Sequence, residues 1–198
     1  DPNQSLMANY CKSPGVYKCP SDTVNSANGD RVRSVSMNGA LGNGTPDVQG
    51  TSPNPPGRTY YGSGSPAPFN NGALKESDLN IPGPVNIYVV LDEQADSLCA
   101  VNGDATFAFD PGYSPSGEHW RDLPASYHNG CGSFSFADGH SEIHKWTNGN
   151  HPPATASLPA RTVYPVIYND TSEPWHAASM ADSIDYEWMQ DRMPYKPL

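Results

Sequence analysis

The side chains best suited to chemistry are concentrated between positions 127 and 146. That stretch holds three imidazoles around the carboxylate of Asp138, and an adjacent acidic pair follows an apolar run earlier in the chain. Imidazole-rich ligation suits zinc or another transition metal, whereas carboxylate-rich ligation suits calcium. Six residues are therefore candidate ligands of one divalent cation: His128, Asp138, His140, His144, Asp92 and Glu93.

The spacing of His128 and Asp138 also has an interpretation that needs no metal. The imidazole can hydrogen-bond to the Asp138 carboxylate, and this bond is charge-assisted when the imidazole is protonated. Such a pair would lock the local structure and would explain the spacing without any chemistry.

Catalysis has weaker support in the sequence. Asp92, Glu93 and Asp138 are carboxylates of the kind that hydrolyse glycosides, and Ser126 or Ser133 can act as a nucleophile beside a His–Asp pair. However, the chain has no Gly-x-Ser-x-Gly elbow, no P-loop, no dinucleotide fingerprint and no His-Glu-x-x-His motif. We therefore expect that this chain is not an enzyme.

The four cysteines predict disulfides. Their number is even, and no two of them have the Cys-x-x-Cys spacing of a zinc or thioredoxin site. Two disulfides in an oxidising compartment are the favoured interpretation, and four free buried thiols in a cytosolic protein are the alternative. Of the three possible pairings we favour Cys11–Cys19 with Cys99–Cys131.

The composition predicts a single domain, residues 1–198, with long ordered loops. The chain has 21 prolines and 18 glycines, and only 36% of its residues are hydrophobic. This balance favours short strands over a helix bundle. The net charge of −10 comes without a cluster of Lys and Arg, so we expect no nucleic-acid partner.

Alternation and turn residues predict the elements that must position the candidate ligands. Residues 133–137 and 141–146 form the two strands of a β-hairpin around the turn dipeptide Asp138-Gly139. Further strands are expected at 31–37, 86–91 and 105–109. The candidate ligands converge if the hairpin pairs with the strand at 86–91. Near the C-terminus Asp182 can cap a helix that turns Ile184 and Trp188 inward.

Several of these residues carry a resemblance to a known family. A histidine, nine intervening residues and Asp-Gly are typical of prepilin-type (pseudopilin) proteins with a C-terminal H-X9-DG domain, and His128 with Asp138-Gly139 resembles that signature. The resemblance extends over residues 17–146 and includes these segments: Tyr17-Lys18-Cys19-Pro20-Ser21-Asp22, Arg33-Ser34-Val35-Ser36-Met37-Asn38, Leu91-Asp92-Glu93 and Phe136-Ala137-Asp138-Gly139-His140.

The resemblance implies a fold and a role. The fold would be α+β: a pilin-like globular head with a small, mostly antiparallel sheet, long Pro/Gly loops and a C-terminal helix. The role would be structural, in a type II secretion or type IV pilus-like fibre of a bacterium. The partners would be copies of the chain, other pseudopilins and the secretion machinery, and the head would be extracytoplasmic. The resemblance also favours calcium over zinc as the cation.

Family members normally start with a basic leader and a long apolar helix, which anchors the subunit in the inner membrane before assembly. No apolar run of 18 residues occurs in these 198 residues. Contact with a membrane is therefore expected only through a helix that is absent from this chain.

One alternative to a structural role is a secreted carbohydrate-binding module. Tyr60 and Tyr61 lie in a long Pro/Gly-rich excursion, and exposed tyrosine rings can stack on sugars. A metal-dependent hydrolytic module is the other alternative, built on the candidate ligands above.

Overall fold

A computed structural model gives the fold of the chain. It describes residues 10–11, 13–23, 25, 29–42, 58–60, 72–95, 98, 106–107, 109, 122, 124–146 and 184–197. The strands are β1 (Val35–Asn38), β2 (Arg58–Tyr60), β3 (Tyr88–Asp92), β4 (Thr106–Phe107), β5 (Cys131–Phe136), β6 (Ser141–Lys145) and β7 (Tyr195–Pro197). One α-helix, α1 (Ile184–Gln190), and 3-10 helices at Pro14–Tyr17, Glu76–Leu79 and Pro84–Asn86 lie within the same described ranges.

Five strands form one mixed sheet in the order β4-β1-β3-β5-β6. The pairings β1–β3, β3–β5 and β5–β6 are antiparallel, and β1–β4 is parallel. Strands β2 and β7 form a separate antiparallel pair. A sheet-dominated α+β fold with few helices is thus confirmed, and the predicted hairpin is β5–β6.

The predicted elements differ from the observed ones mainly at their ends. The strand expected at 31–37 begins only at Val35, and the strand expected at 86–91 is preceded by a 3-10 turn that starts at Pro84. The N-terminal loop contains a 3-10 helix at Pro14–Tyr17. Pro14 opens this helix, and the Ser13 hydroxyl accepts a hydrogen bond from the Gly15 N–H. The predicted Asp182 cap lies outside the described residues.

One face of the five-stranded sheet carries an aromatic core. Tyr88, Phe107 and Phe134 are almost completely buried there and meet edge to face, with ring centroids 5.8–6.4 Å apart. The C-terminal segment covers this face, because Met189 and Met193 are buried in the same cluster. Of the residues predicted to turn inward from α1, Trp188 packs against the core, and the side chain of Ile184 lies outside the description.

The opposite face of the sheet carries polar and half-buried side chains. Alternation along β5 sends Phe134 and Phe136 into the core and turns Ser133 and Ser135 to the other side. Because Leu91 lies opposite Phe134 in the register, Asp92 lies beside Ser133 on this second face. The candidate site is built at this end of the sheet.

Candidate metal centre

Three side chains from distant parts of the chain meet at one point. His128 Nε2 lies 3.1 Å from Asp92 Oδ2 and 3.3 Å from Cys19 Sγ. The three potential ligand atoms lie within 4.8 Å of one another. Cys19 and Asp92 are 7% and 5% exposed, and the His128 side chain is 28% exposed. A Cys/Asp/His group that can hold a metal ion is therefore present.

Asp92 is the last residue of β3, and its position follows from the sheet. The Ser133 hydroxyl on the neighbouring strand donates a hydrogen bond of 2.5 Å to Asp92 Oδ2. The Asp92 carbonyl accepts from the Ala125 N–H at 2.8 Å. The carboxylate is thus fixed from the side chain and from the backbone, as a buried carboxylate requires.

His128 is carried by a tight turn that leads into β5. The Gly130 N–H donates to the Ser126 carbonyl, and the His128 N–H donates to the Cys131 carbonyl, each at 3.2 Å. Asn129 and Gly130 both have positive φ, 58° and 82°, conformations that favour Asn and Gly. The Asn-Gly sequence therefore allows the turn that points the imidazole at Asp92.

Cys19 belongs to the N-terminal loop, which is attached to the start of β1. The Cys19 N–H donates to the Ser34 hydroxyl at 2.5 Å, and the Ser34 N–H donates to the Tyr17 carbonyl at 2.8 Å. The Ser34 carbonyl in turn accepts from the Glu93 N–H at 2.8 Å. Cys19 is thereby held next to the end of β3, the strand that carries Asp92.

Two opposing influences act on the Cys19 thiol. Burial raises its pKa, and the nearby Asp92 carboxylate raises it further. Hydrogen bonds from Ser21 and from the Asp22 N–H lower the pKa, because they stabilise negative charge on sulfur. The net shift is upward, so the thiol is neutral at ordinary pH unless a cation compensates its charge.

The arrangement differs from that of a catalytic triad. In a triad the imidazole uses one nitrogen for the nucleophile and the other for the carboxylate. Here Cys19 Sγ and Asp92 Oδ2 both approach the same atom, His128 Nε2. That atom has either one hydrogen or one lone pair, so it cannot accept from the thiol and donate to the carboxylate at the same time. Convergence of S, O and N atoms is typical of ligands around a cation.

The two serines considered as nucleophiles are not placed for that role. Ser133 donates its hydroxyl to Asp92, whereas a nucleophile must contact the base. Ser126 is 2% exposed, and its carbonyl closes the turn that carries His128.

Glu93 is not part of the cluster, although it is adjacent to Asp92. Its carboxylate accepts a short hydrogen bond from the Ser36 hydroxyl and lies 4.0 Å from Arg33 Nη1. Adjacent residues of an extended chain point to opposite sides, so the two carboxylates separate. Glu93 therefore neutralises Arg33 inside the fold.

Asp138 and His140 pair with each other at the hairpin turn. His140 Nδ1 lies 2.5 Å from Asp138 Oδ1, and the His140 N–H donates to the same oxygen at 3.1 Å. These hydrogen bonds lower the pKa of Asp138. The predicted bond between His128 and Asp138 is wrong. Strand β5 separates the two residues, and six residues at about 3.3 Å each span roughly 20 Å.

His144 lies in a third place, under α1. Its ring stacks on Trp188 with centroids 3.7 Å apart, and its Nε2 lies 3.9 Å from the buried Asp185 carboxylate. Of the six predicted ligands, only His128 and Asp92 therefore belong to the cluster with Cys19, while Asp138 and His140 form a separate pair at the hairpin turn. An oxygen-rich calcium site is not formed by the predicted carboxylates, because Asp92, Glu93 and Asp138 point to different places.

The predicted disulfides are not formed. Cys11, Cys19 and Cys131 are free thiols, and Cys99 lies outside the described residues. The physical reason at Cys19 is direct: its sulfur faces His128 and is not available to Cys11. For the proposed glycan contacts, only the backbone of Tyr60 is described, and Tyr61 lies outside the description.

Cys19 is a site residue that was not predicted from the sequence, and Ser133 was considered only as a nucleophile and not as a hydrogen-bond donor to Asp92. A signal for Cys19 was present, since Cys19, Asp92 and His128 each belong to one of the segments that resemble the H-X9-DG family. Because Cys19 was assigned to a disulfide, it was not considered as a metal ligand.

Within the described ranges, no helix has the length and apolar character needed to cross a bilayer. Comparison of the chain with protein-family models, with curated proteins and with solved structures gives no match.

Proposed function

We propose that this chain is the globular head of a pseudopilin-like subunit, which assembles with its copies into a type II secretion or type IV pilus-like fibre. One observation carries the proposal. Three separate segments that resemble the H-X9-DG family supply one residue each to a single cluster: Cys19, Asp92 and His128. Three matching segments that are distant in sequence but meet in space support a fold shared with that family more strongly than the spacing of His128 and Asp138 alone.

In this proposal the head has a structural role and is not an enzyme. It lies outside the cytoplasm, and its contacts are with other heads and with the secretion machinery. The resemblance supports this location. Disulfides would also have indicated an oxidising compartment, but Cys11, Cys19 and Cys131 are free thiols.

One divalent cation belongs to the proposal. The resemblance favours calcium, with zinc as the alternative. Calcium takes six to eight oxygen ligands, whereas Cys19 and His128 offer sulfur and nitrogen. The residues that meet in this head therefore favour zinc.

The coding sequence upstream of Asp1 tests the fibre proposal. A basic leader followed by about 20 apolar residues, enough to span a bilayer, is the expected result. A conventional signal peptide with its cleavage site immediately before Asp1 would contradict assembly through such a helix. In cells that make the full-length product, shearing should then release the head together with a sedimentable fibre.

A further inference from the structure

We propose that Cys19, Asp92 and His128 form a zinc site that joins the N-terminal loop to the end of β3 and to the turn that leads into β5. The ligand atoms are Cys19 Sγ, one carboxylate oxygen of Asp92 and His128 Nε2. The site does not depend on the fibre proposal, since a head that never assembles would bind the ion equally well.

The two separations that involve His128 Nε2 are close to those of tetrahedral coordination, and all three ligand atoms lie within 4.8 Å of one another. Zinc lies about 2.3 Å from sulfur and about 2.0–2.1 Å from nitrogen or oxygen, so in a tetrahedron nitrogen and oxygen ligands are about 3.3–3.4 Å apart and sulfur is about 3.5–3.6 Å from either. The observed separations are 3.1 Å from nitrogen to oxygen and 3.3 Å from nitrogen to sulfur. The ion can therefore bind with small adjustments of side chains that already point to one place.

The donor types select the metal. Thiolate and imidazole are soft and borderline ligands that favour zinc and other late transition metals over calcium and magnesium. Only one of the three donors, the Asp92 oxygen, is of the hard type that calcium requires.

The surroundings support the ligands in the manner of a metal site. The Ser133 hydroxyl donates to the Asp92 carboxylate and fixes its orientation, as outer-shell groups do around bound metals. His128 is the most exposed member, so its side provides access for the ion. Three protein ligands leave the fourth position to water.

A zinc ion here would join three segments that are far apart in sequence, because the ligands are residues 19, 92 and 128. It would also protect a buried thiol from oxidation, which accounts for a free Cys19 in a head placed outside the cytoplasm. The gain in stability would come from closing long loops through a single bound ion.

The first test measures metal binding by the purified chain after removal of metal with a chelator. One equivalent of Zn²⁺ is expected, with no competition from Ca²⁺. Co²⁺ in place of Zn²⁺ should give thiolate-to-metal charge-transfer absorption in the near ultraviolet. In Cys19→Ser this absorption should disappear, and the zinc affinity should fall at least about 10-fold. In Ser133→Ala, which removes a hydrogen bond to a ligand, the zinc affinity should fall about 10–100-fold. Cys11→Ser, which removes a free thiol outside the cluster and outside the His128 turn, should change neither.

The second test uses the unaltered chain and does not depend on variants that fold. Alkylation of each cysteine is followed by mass spectrometry with and without zinc. Zinc should slow the labelling of Cys19 at least tenfold and leave that of Cys11 and Cys131 unchanged. Equal labelling of Cys19 in both states, absence of stoichiometric zinc, or equal binding of calcium would each overturn the zinc site, and none of these results would bear on the fibre proposal.

Discussion

The residue that most constrains the site is Asp92, a carboxylate that is buried and has two side-chain donors. His128 and Ser133 both contact its Oδ2 atom. Removal of one partner from a buried carboxylate costs more than a hydrogen bond contributes on average, because the charge loses compensation that water does not replace.

We therefore expect His128→Ala, in the metal-free protein, to lower the free energy of unfolding by about 1–3 kcal/mol. His140→Ala is the matched control. It removes an imidazole that pairs with the exposed Asp138 and stacks on Phe136, so no buried charge loses its partner and the loss of stability should be clearly smaller than that of His128→Ala. Urea unfolding of the two variants and the parent measures both values. Equal losses would show that the contact between His128 and Asp92 has no special weight.

Asp138 gives a prediction that depends on pH. Hydrogen bonds from the His140 N–H and ring hold the pKa of Asp138 below its ordinary value of 3.8. Since the folded-state pKa is the lower one, the pair adds stability above the unfolded-state pKa, and this contribution is lost as pH falls through the folded-state value. His140→Ala should raise the pKa of Asp138 in an NMR titration, and the part of its stability deficit that comes from the bond to Asp138 should disappear in acid. An unchanged titration of Asp138 in the variant would contradict this.

At the residue scale, the sequence indicated which types of side chain can act as ligands, but it did not indicate which of these side chains lie close together in the fold. Asp92 and His128 were identified, but Cys19 was assigned to a disulfide, because cysteine counts contain no distances. His128 and Asp138 were paired by their spacing, although the strand between them keeps them apart. Pairs that depend on tertiary contacts cannot be obtained from local spacing.

At the element scale, the β5–β6 hairpin carries His128 at one end and the Asp138 turn at the other. Gly132 in β5 allows a close contact there. A Cβ atom at this position would lie 2.8 Å from the Ala125 carbonyl oxygen and 3.2 Å from the Trp146 ring. The Ala125 segment leads into the His128 turn, and the Trp146 Nε1–H donates to the same carbonyl at 2.9 Å. The hairpin and the loop are thus in direct backbone contact.

Gly132→Ala should destabilise the fold by about 1–3 kcal/mol, because overpacking forces the Ala125 backbone to move. It should also weaken zinc binding, since His128 moves with the same loop. Gly15→Ala is the control: its Cβ would meet only the Ser13 hydroxyl oxygen at 3.5 Å, an ordinary contact. Thermal unfolding measures the stability of both variants, and zinc titration measures their affinity for the ion. If Gly132→Ala is as stable as Gly15→Ala, the Ala125 segment can move to accommodate the added methyl group without loss of stability, and the prediction is wrong.

Element types were predicted better than element partners. Alternation of polar and aromatic residues revealed β5, and Asp-Gly revealed its turn, because both signals are local. The parallel pairing of β1 with β4 has no local signal. The same is true of the contact between α1 and the sheet, where Trp188 stacks on His144 and packs edge to face against Phe134. His144 looked like a ligand in the sequence, and it serves as a packing partner in the structure.

At the scale of the whole molecule, the two faces of the five-stranded sheet have different roles. The aromatic face with α1 supplies the hydrophobic core, and the opposite face supplies the polar end where three segments meet. Since the cluster and the core lie on opposite faces of the sheet, loss of the metal should loosen the N-terminal loop and leave the aromatic core intact.

The net charge of −10 governs how copies of the head approach one another. Like charges repel over about 10 Å at 0.1 M salt, and the range shortens as salt rises. If fibre heads contact one another as proposed, the isolated heads should be monomeric at low salt and should associate more strongly as sodium chloride is raised, which sedimentation equilibrium can follow. Charge reversal at the exposed Glu187 of α1, Glu187→Lys, should shift association toward lower salt. Association that weakens with salt would mean that ion pairs, and not apolar contacts, hold neighbouring heads together.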